Sequence, residues 1–103
     1  MSMYPPHIPF TRLTATTLDV STTPRPAASQ SVIDGLSRGR CGIEVVNTSS
    51  ATVYIGASDV SAQTGLPIEA GEKRYFPVTL GARQALYIAA DAAASVVLAE
   101  YFA

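Results

Sequence analysis

The stretch that decides the fold begins with C-G-I-E-V-V-N-T-S-S-A-T-V-Y-I-G, residues 41–56. Two short runs rich in β-branched residues flank a break of Asn, Thr, Ser and Ala, which is typical of two strands joined by a turn. Side chains alternate across a pleated strand, so Cys41, Ile43 and Val45 share one face while Glu44 lies on the other. The pattern predicts a β-hairpin over residues 41–56.

The chain beyond residue 56 repeats this succession of short strands and polar turns. Residues 57–65 are polar and weakly patterned, so we expect a loop there. Residues 66–68 lead into a turn at Gly71, and residues 73–80 then predict a further strand. Pro77 assigns that strand to a sheet edge or to a bulge, because proline cannot donate to a central ladder.

The last part of the chain predicts two more strands. A turn at residues 81–83 separates the preceding strand from Q-A-L-Y-I-A-A, residues 84–90. In S-V-V-L-A-E-Y-F-A, residues 95–103, side chains alternate between the two faces of the strand. Val97, Ala99 and Tyr101 lie on one face, and Val96, Leu98 and Glu100 lie on the other. A helix over residues 91–102 is the alternative, since Ala and Leu favour helices, but the adjacent valines favour a strand.

The beginning of the chain has a different composition. Five of the seven prolines lie in it, at positions 5, 6, 9, 24 and 26, and each removes a backbone donor and fixes φ near −65°. We therefore predict an extended N-terminal arm over residues 1–28 and one antiparallel β domain over residues 29–103. The domain is expected to be all-β, a small antiparallel β-sandwich or jelly-roll-like fold.

Two local features of this region carry their own predictions. Leu13 and Leu18 have opposite parity in a threonine-rich run, so the apolar side changes near residues 16–17, which predicts a bulge or a bend. Residues 29–36 predict one more short strand with a turn at Asp34 and Gly35. An extended arm of this kind is suited to lie along a neighbouring subunit, adding a strand or following a groove.

The composition favours a protein that hides part of its surface. Charged residues make up 15% of the 103 residues, against about 25% in an average soluble protein, and the mean hydropathy is +0.23. We therefore expect a homo-oligomer. The net charge is −1 and the basic residues are dispersed, which argues against nucleic acid as a partner.

Cysteine usage and the N-terminal residues predict the compartment. Cys41 is the only cysteine, so an internal disulfide is excluded and a zinc cluster of the usual kind lacks its ligands. The first ten residues have no signal-peptide pattern, and no apolar stretch is long enough for a membrane span. The expectation is a chain made in a reducing cytoplasm, with no membrane association.

No residue pattern predicts a reaction. His7, the only histidine, lies between Pro6 and Ile8 in the arm, where a solvated side chain is the simpler interpretation. The carboxylates are scattered among turns, where aspartate commonly accepts backbone hydrogen bonds. The sequence has no calcium-loop or phosphate-loop motif. We therefore predict that the protein is not an enzyme and has no cofactor and no metal.

Binding to partners is the prediction that remains. Arg38 and Arg40 bracket Gly39 in a loop that could grip a carboxylate of a neighbour, although a solvated basic loop explains them equally well. The predicted partner-binding residues are six apolar or aromatic side chains of the arm and these two arginines: Tyr4, Ile8, Phe10, Leu13, Leu18, Val20, Arg38 and Arg40. Four strand tyrosines add a second possibility, stacking on sugars: Tyr54, Tyr75, Tyr87 and Tyr101.

The domain resembles the small β-sandwich structural proteins of tailed-bacteriophage virions. Three segments carry the resemblance: V-V-N-T-S-S-A-T-V-Y-I-G (45–56), T-G-L-P-I-E-A-G-E (64–72) and L-Y-I-A-A (86–90). It covers about the last sixty residues and implies a compact domain that adds to a capsid, neck or tail fibre as a symmetric oligomer without a cofactor.

The resemblance leads to a functional expectation. It implies a virion location, with phage capsid or other virion proteins as partners and synthesis in the host cytoplasm. We expect a capsid decoration or cement subunit that binds neighbouring capsid proteins through its N-terminal arm. The alternatives are a structural protein of the neck, tail or fibre, and a β module that binds host glycans.

Overall fold

Eight strands and one short helix make up the part of the chain described by the computed structural model, residues 11–35, 39–77 and 86–103. The elements in chain order are β1 (Arg12–Val20), β2 (Arg25–Pro26), α1 (Gln30–Ile33), β3 (Arg40–Val46), β4 (Val53–Gly56), β5 (Leu66–Ile68), β6 (Lys73–Pro77), β7 (Tyr87–Ala90) and β8 (Ala94–Phe102).

The strands form two four-stranded antiparallel sheets. The first sheet has the order β1-β8-β3-β6 and the second has the order β2-β7-β4-β5. The strands pair from the two ends of the chain inwards: β1 pairs with β8, β2 with β7, β3 with β6 and β4 with β5. A long ribbon of such pairs folded over itself is an eight-stranded jelly roll. The prediction of a small all-β sandwich is confirmed, in its jelly-roll form.

The core lies between the two sheets and is built from alternate residues of their strands. Twelve buried side chains form one cluster: Leu18, Val20, Ala27, Ile43, Val45, Val53, Ile55, Ile68, Ile88, Ala90, Val96 and Leu98. Because neighbours in a strand point to opposite faces, the residues between these point outwards. The predicted alternation within residues 95–103 is therefore confirmed, and the strand interpretation of this segment is correct.

The predicted arm boundary needs correction. Residues 12–20, which the sequence assigned to the arm, form β1, and this strand pairs with β8 from Arg12–Phe102 to Val20–Ala94. β2 pairs with β7 in the second sheet. These pairs join strands that are far apart in the sequence, so the local pattern of residue types does not predict them. The arm assignment is wrong for residues 12–26, and residues 1–10 lie outside the described residues.

The predicted hairpin over residues 41–56 is also wrong. Both strands exist, but β3 pairs with β8 and β6, whereas β4 pairs with β7 and β5. The polar residues 47–52 therefore cross from one sheet to the other. Two adjacent strands with one buried face each can pack face to face as readily as edge to edge, and the sequence pattern does not distinguish these arrangements.

The bulge lies in a different strand from the one predicted. β1 keeps an unbroken register with β8 through residues 16 and 17. In β3 the register shifts between Arg40, which pairs with Phe102, and Gly42, which pairs with Tyr101. Cys41 is the extra residue of this bulge, so it is half-buried and is not part of the core cluster.

The predictions for single turns, loops and short strands have mixed outcomes. The short strand expected within residues 29–36 is wrong, because Gln30–Ile33 forms α1. Gly35 and Gly71 have φ of 74° and 83°, which confirms the turns predicted at both positions. The loop at 57–65 and the edge position of the strand before Pro77 are confirmed. The turn predicted at 81–83 lies outside the described residues.

Candidate interaction surfaces

The outward face of the first sheet combines aliphatic and tyrosine side chains with a few polar ones. We call it the apolar face, and its outward side chains are Leu13, Ala15, Thr17 and Asp19 from β1, Ser95, Val97, Ala99 and Tyr101 from β8, Glu44 and Val46 from β3, and Lys73 and Tyr75 from β6. Leu13 is 51% exposed and Ala15 is exposed, Val46 and Val97 are half-buried, and Ala99 and Tyr101 are buried at 9% and 5% exposure. Among these residues the charges are Asp19, Glu44 and Lys73, so the middle of β1 and β8 carries none.

This face explains the change of parity in β1. Leu13 and Ala15 point outwards, while Leu18 is 3% exposed and Val20 2% exposed in the core. The strand is therefore apolar on both sides at different points along its length, with no bulge between them. A strand that presents apolar residues outwards as well as inwards is expected where the outer face meets another molecule.

An aromatic pair lies at one end of the apolar face. The rings of Tyr75 and Tyr101 meet edge to face, with centroids 5.7 Å apart. Tyr101 Oη donates a hydrogen bond of 3.5 Å to Glu44 Oε1. The ring of Tyr75 lies against Gly42, where a Cβ would collide with it. The glycine thus lets the hydroxyl end of this ring approach the strand.

The environment of this pair raises the pKa of both phenols. Burial is the main cause that raises the pKa of Tyr101, and the nearby Glu44 carboxylate adds to it. Burial also raises the pKa of Tyr75, with Cys41 as the second cause.

A second pair of tyrosines lies on the outward face of the second sheet. Tyr54 pairs with Ala89, and Tyr87 pairs with Gly56, so the two half-buried tyrosines are diagonal neighbours on β4 and β7. Diagonal residues on one face of a sheet lie about 7–8 Å apart, within reach of aromatic rings. On their other sides, Tyr54 pairs with Pro67 of β5 and Tyr87 pairs with Pro26 of β2. Two neighbouring tyrosine rings on one sheet face can stack on a sugar.

Arg40 does not lie on a surface that could grip a neighbour. Its Nη1 lies 2.9 Å from Glu100 Oε2 and also donates to the carbonyl of Ala27 at 2.9 Å. Glu100 is fully buried and accepts a further hydrogen bond of 3.2 Å from the backbone N–H of Ser29. Arg40 is thus occupied within its own chain, and its assignment as a partner-binding residue is wrong.

The other predicted partner-binding residues have different outcomes. Leu18 and Val20 belong to the core cluster, so their assignment as contact residues is wrong. Leu13 is exposed on the apolar face and stays available for a partner. Four of the predicted residues lie outside the described residues: Tyr4, Ile8, Phe10 and Arg38.

Comparison with known proteins adds no relative. No protein-family model, no curated protein and no solved structure matches the chain. The likeness to phage structural proteins therefore stays an expectation from the sequence. No helix within the described residues has the length and apolar character needed to cross a bilayer.

Sequence reasoning missed the central residues of the apolar face. The sequence pattern set Val97 and Ala99 opposite Val96 and Leu98 without deciding which side faces outwards, and it did not single out Val46. The signal was present, because in S-V-V-L-A residues of both parities are apolar. Which strands place such residues side by side depends on the sheet order, and the sequence pattern does not give that order.

Proposed function

We propose that the chain is a non-enzymatic structural protein of a tailed-phage virion, a decoration or cement subunit that attaches to the capsid through the apolar face. The observation that supports this most directly is the face itself, four strands wide and without charge along the middle of β1 and β8. The exposed Leu13 and the half-buried Val46 and Val97 are side chains that a partner could cover.

The fold and the attachment surface are consistent with this role. Jelly rolls occur in viral capsid proteins and in lectins, so the fold alone does not choose between them. A face four strands wide offers contacts from several strands to one partner. Many weakly bound copies on one lattice are held collectively through their high local concentration. Residues 1–10 remain a predicted contact segment, next to the start of β1.

The test compares two valine-to-lysine variants in binding to purified capsids that lack the chain. Val97 lies in the middle of the apolar face, so Val97→Lys should reduce occupancy at least tenfold, as expected for a charge buried at an interface centre. Val32→Lys in α1 is the matched control and should bind like the original chain. Cosedimentation with quantitative mass spectrometry gives the occupancy, and circular dichroism confirms that both variants fold.

Truncation should stop at residue 10, because a longer deletion removes β1 and exposes the core. Deletion of residues 1–10 measures the contribution of that segment alone. Absence of the chain from purified virions of the phage that encodes it would contradict the proposal, and equal binding of the two lysine variants would contradict the assignment of the apolar face.

A glycan-binding module is the second candidate, and the tyrosine pair on β4 and β7 favours it. If this candidate is correct, Tyr54→Ala and Tyr87→Ala should each abolish binding on a glycan array, since each removes one stacking ring. Tyr75→Ala on the opposite sheet is the matched control and should retain binding. A glycan array without signal for the original chain excludes this candidate.

A further inference from the structure

Three of the four sheet edges formed by the described residues carry features that block pairing with another strand. β2 has two residues and includes Pro26, and β5 has three residues and includes Pro67. β6 carries Lys73 at its start and Pro77 at its end. Short length, lysine and proline are the usual means by which proteins protect free edges. Edge protection is therefore general in this molecule.

β1 is the exception among these edges. It has nine residues, R-L-T-A-T-T-L-D-V, with no proline, glycine or lysine, and its register with β8 is unbroken. Ala15 and Thr17 are exposed, and Leu13 is 51% exposed. An edge of this length, regularity and low charge is a template for another strand.

The sequence of β1 favours a second copy of itself in antiparallel orientation. Among the edges formed by the described residues, β1 is the one without these protective features, so a second copy can offer a matching edge only through its own β1. A two-fold contact between two identical edges runs antiparallel. Arg12, which stacks on Phe102, and Asp19 lie on opposite faces of the sheet, so they do not pair across this contact. The threonines between them are residues that pair well across strands.

We propose that the free edge of β1 binds the same edge of a second copy of this chain, antiparallel, so that two four-stranded sheets join into one sheet of eight strands. A two-fold axis perpendicular to the sheet keeps both apolar faces on the same side, which doubles the surface offered to a partner. The pairing follows from the edge alone and does not depend on the proposed virion function.

The chain's own N-terminal segment is a poor competitor for this edge. Prolines at positions 5, 6 and 9 remove backbone donors that a paired strand needs. A nine-residue strand is about 30 Å long, so an edge contact buries well below the 800 Å² per partner of a standard interface. The dimer should therefore be weak in dilute solution and strengthened wherever copies are crowded.

Sedimentation equilibrium of the full chain, at concentrations from micromolar to about 1 mM, tests the pairing. The mass should rise from 10.8 kDa towards twice that value. Ala15→Lys puts a charge beside the edge and should leave a monomer throughout, while Ala62→Lys, the same change in the exposed β4–β5 loop, should dimerise like the original chain. Amide resonances of β1 should shift with concentration in the original chain.

Val97→Lys separates edge pairing from packing of two apolar faces. Val97 lies on β8, one strand in from the edge, so this variant should still dimerise. A monomer at every concentration overturns the proposal, as does a dimer that survives Ala15→Lys. Loss of the dimer in Val97→Lys, or a mass of three or more chains, overturns the two-fold edge contact in favour of another assembly. None of these results depends on binding to capsids.

Discussion

Glu100→Ala should lower the free energy of unfolding by about 3–5 kcal/mol, because it leaves the Arg40 guanidinium buried without its carboxylate. The Arg40 side chain is only 12% exposed, so water cannot replace the lost partner fully. In a domain of this size the change corresponds to a fall in Tm of about 12 °C or more. Urea and thermal unfolding followed by circular dichroism measure both quantities.

The matched control replaces both members of the pair. Arg40→Met combined with Glu100→Leu removes both charges and fills their space, so the double variant should be more stable than either single variant. It still leaves the Ala27 carbonyl and the Ser29 N–H without these partners, at about 1 kcal/mol each. A loss below about 1 kcal/mol in Glu100→Ala would show that the pair is hydrated and contributes little.

The surroundings of Glu100 could be predicted from the sequence only in part. Its parity predicts that it shares one side of the last strand with Val96 and Leu98, and in the structure that side faces the core. Its partner Arg40 lies in β3, 60 residues earlier in the sequence. The bulge at Cys41 determines where Arg40 lies relative to Glu100. A local pattern gives the face of a strand but not the charge that lies opposite.

The N-terminal segment shows the same limit more clearly. Threonine and proline predicted an extended backbone in this segment, and residues 12–20 and 25–26 are strands. What the pattern could not predict is the partner, because β1 pairs with the last strand of its own chain. An extended segment can pair with a strand of a neighbouring subunit or with a strand of its own sheet. The strand order of the jelly roll shows that β1 pairs within its own chain.

The candidate surfaces also depend on strand partners that a local sequence pattern does not predict. Tyr54 and Tyr87 were recognised as strand tyrosines, but their position as diagonal neighbours depends on β4 lying next to β7. The unprotected edge of β1 likewise depends on the sheet order. Residue types near a surface are readable from a sequence, whereas surfaces built from strands far apart in the chain require the topology.

Asn47→Ala should lower the free energy of unfolding by about 2–4 kcal/mol, because a fully buried amide then leaves several hydrogen-bonding groups without partners. Asn47 Nδ2 donates to the carbonyls of Ala51 at 2.8 Å and Ile68 at 2.9 Å. Its Oδ1 accepts from Ser49 N at 3.0 Å and from Ser49 Oγ at 2.6 Å. The side chain therefore fixes the crossover between the sheets to the end of β5.

The backbone of Asn47 extends this connection to a third segment. Its N–H donates to Glu72 O, and its carbonyl accepts from Gly71 N, both at 2.8 Å. Thr48→Ala is the matched control, since Thr48 makes one exposed hydrogen bond, to Ser95 O, and should lose about 1 kcal/mol at most. Unfolding in urea measures both variants, and hydrogen exchange at residues 47–52 and 69–72 should accelerate in Asn47→Ala alone. Equal stability of the two variants would show that the crossover is held by strand packing and not by this amide.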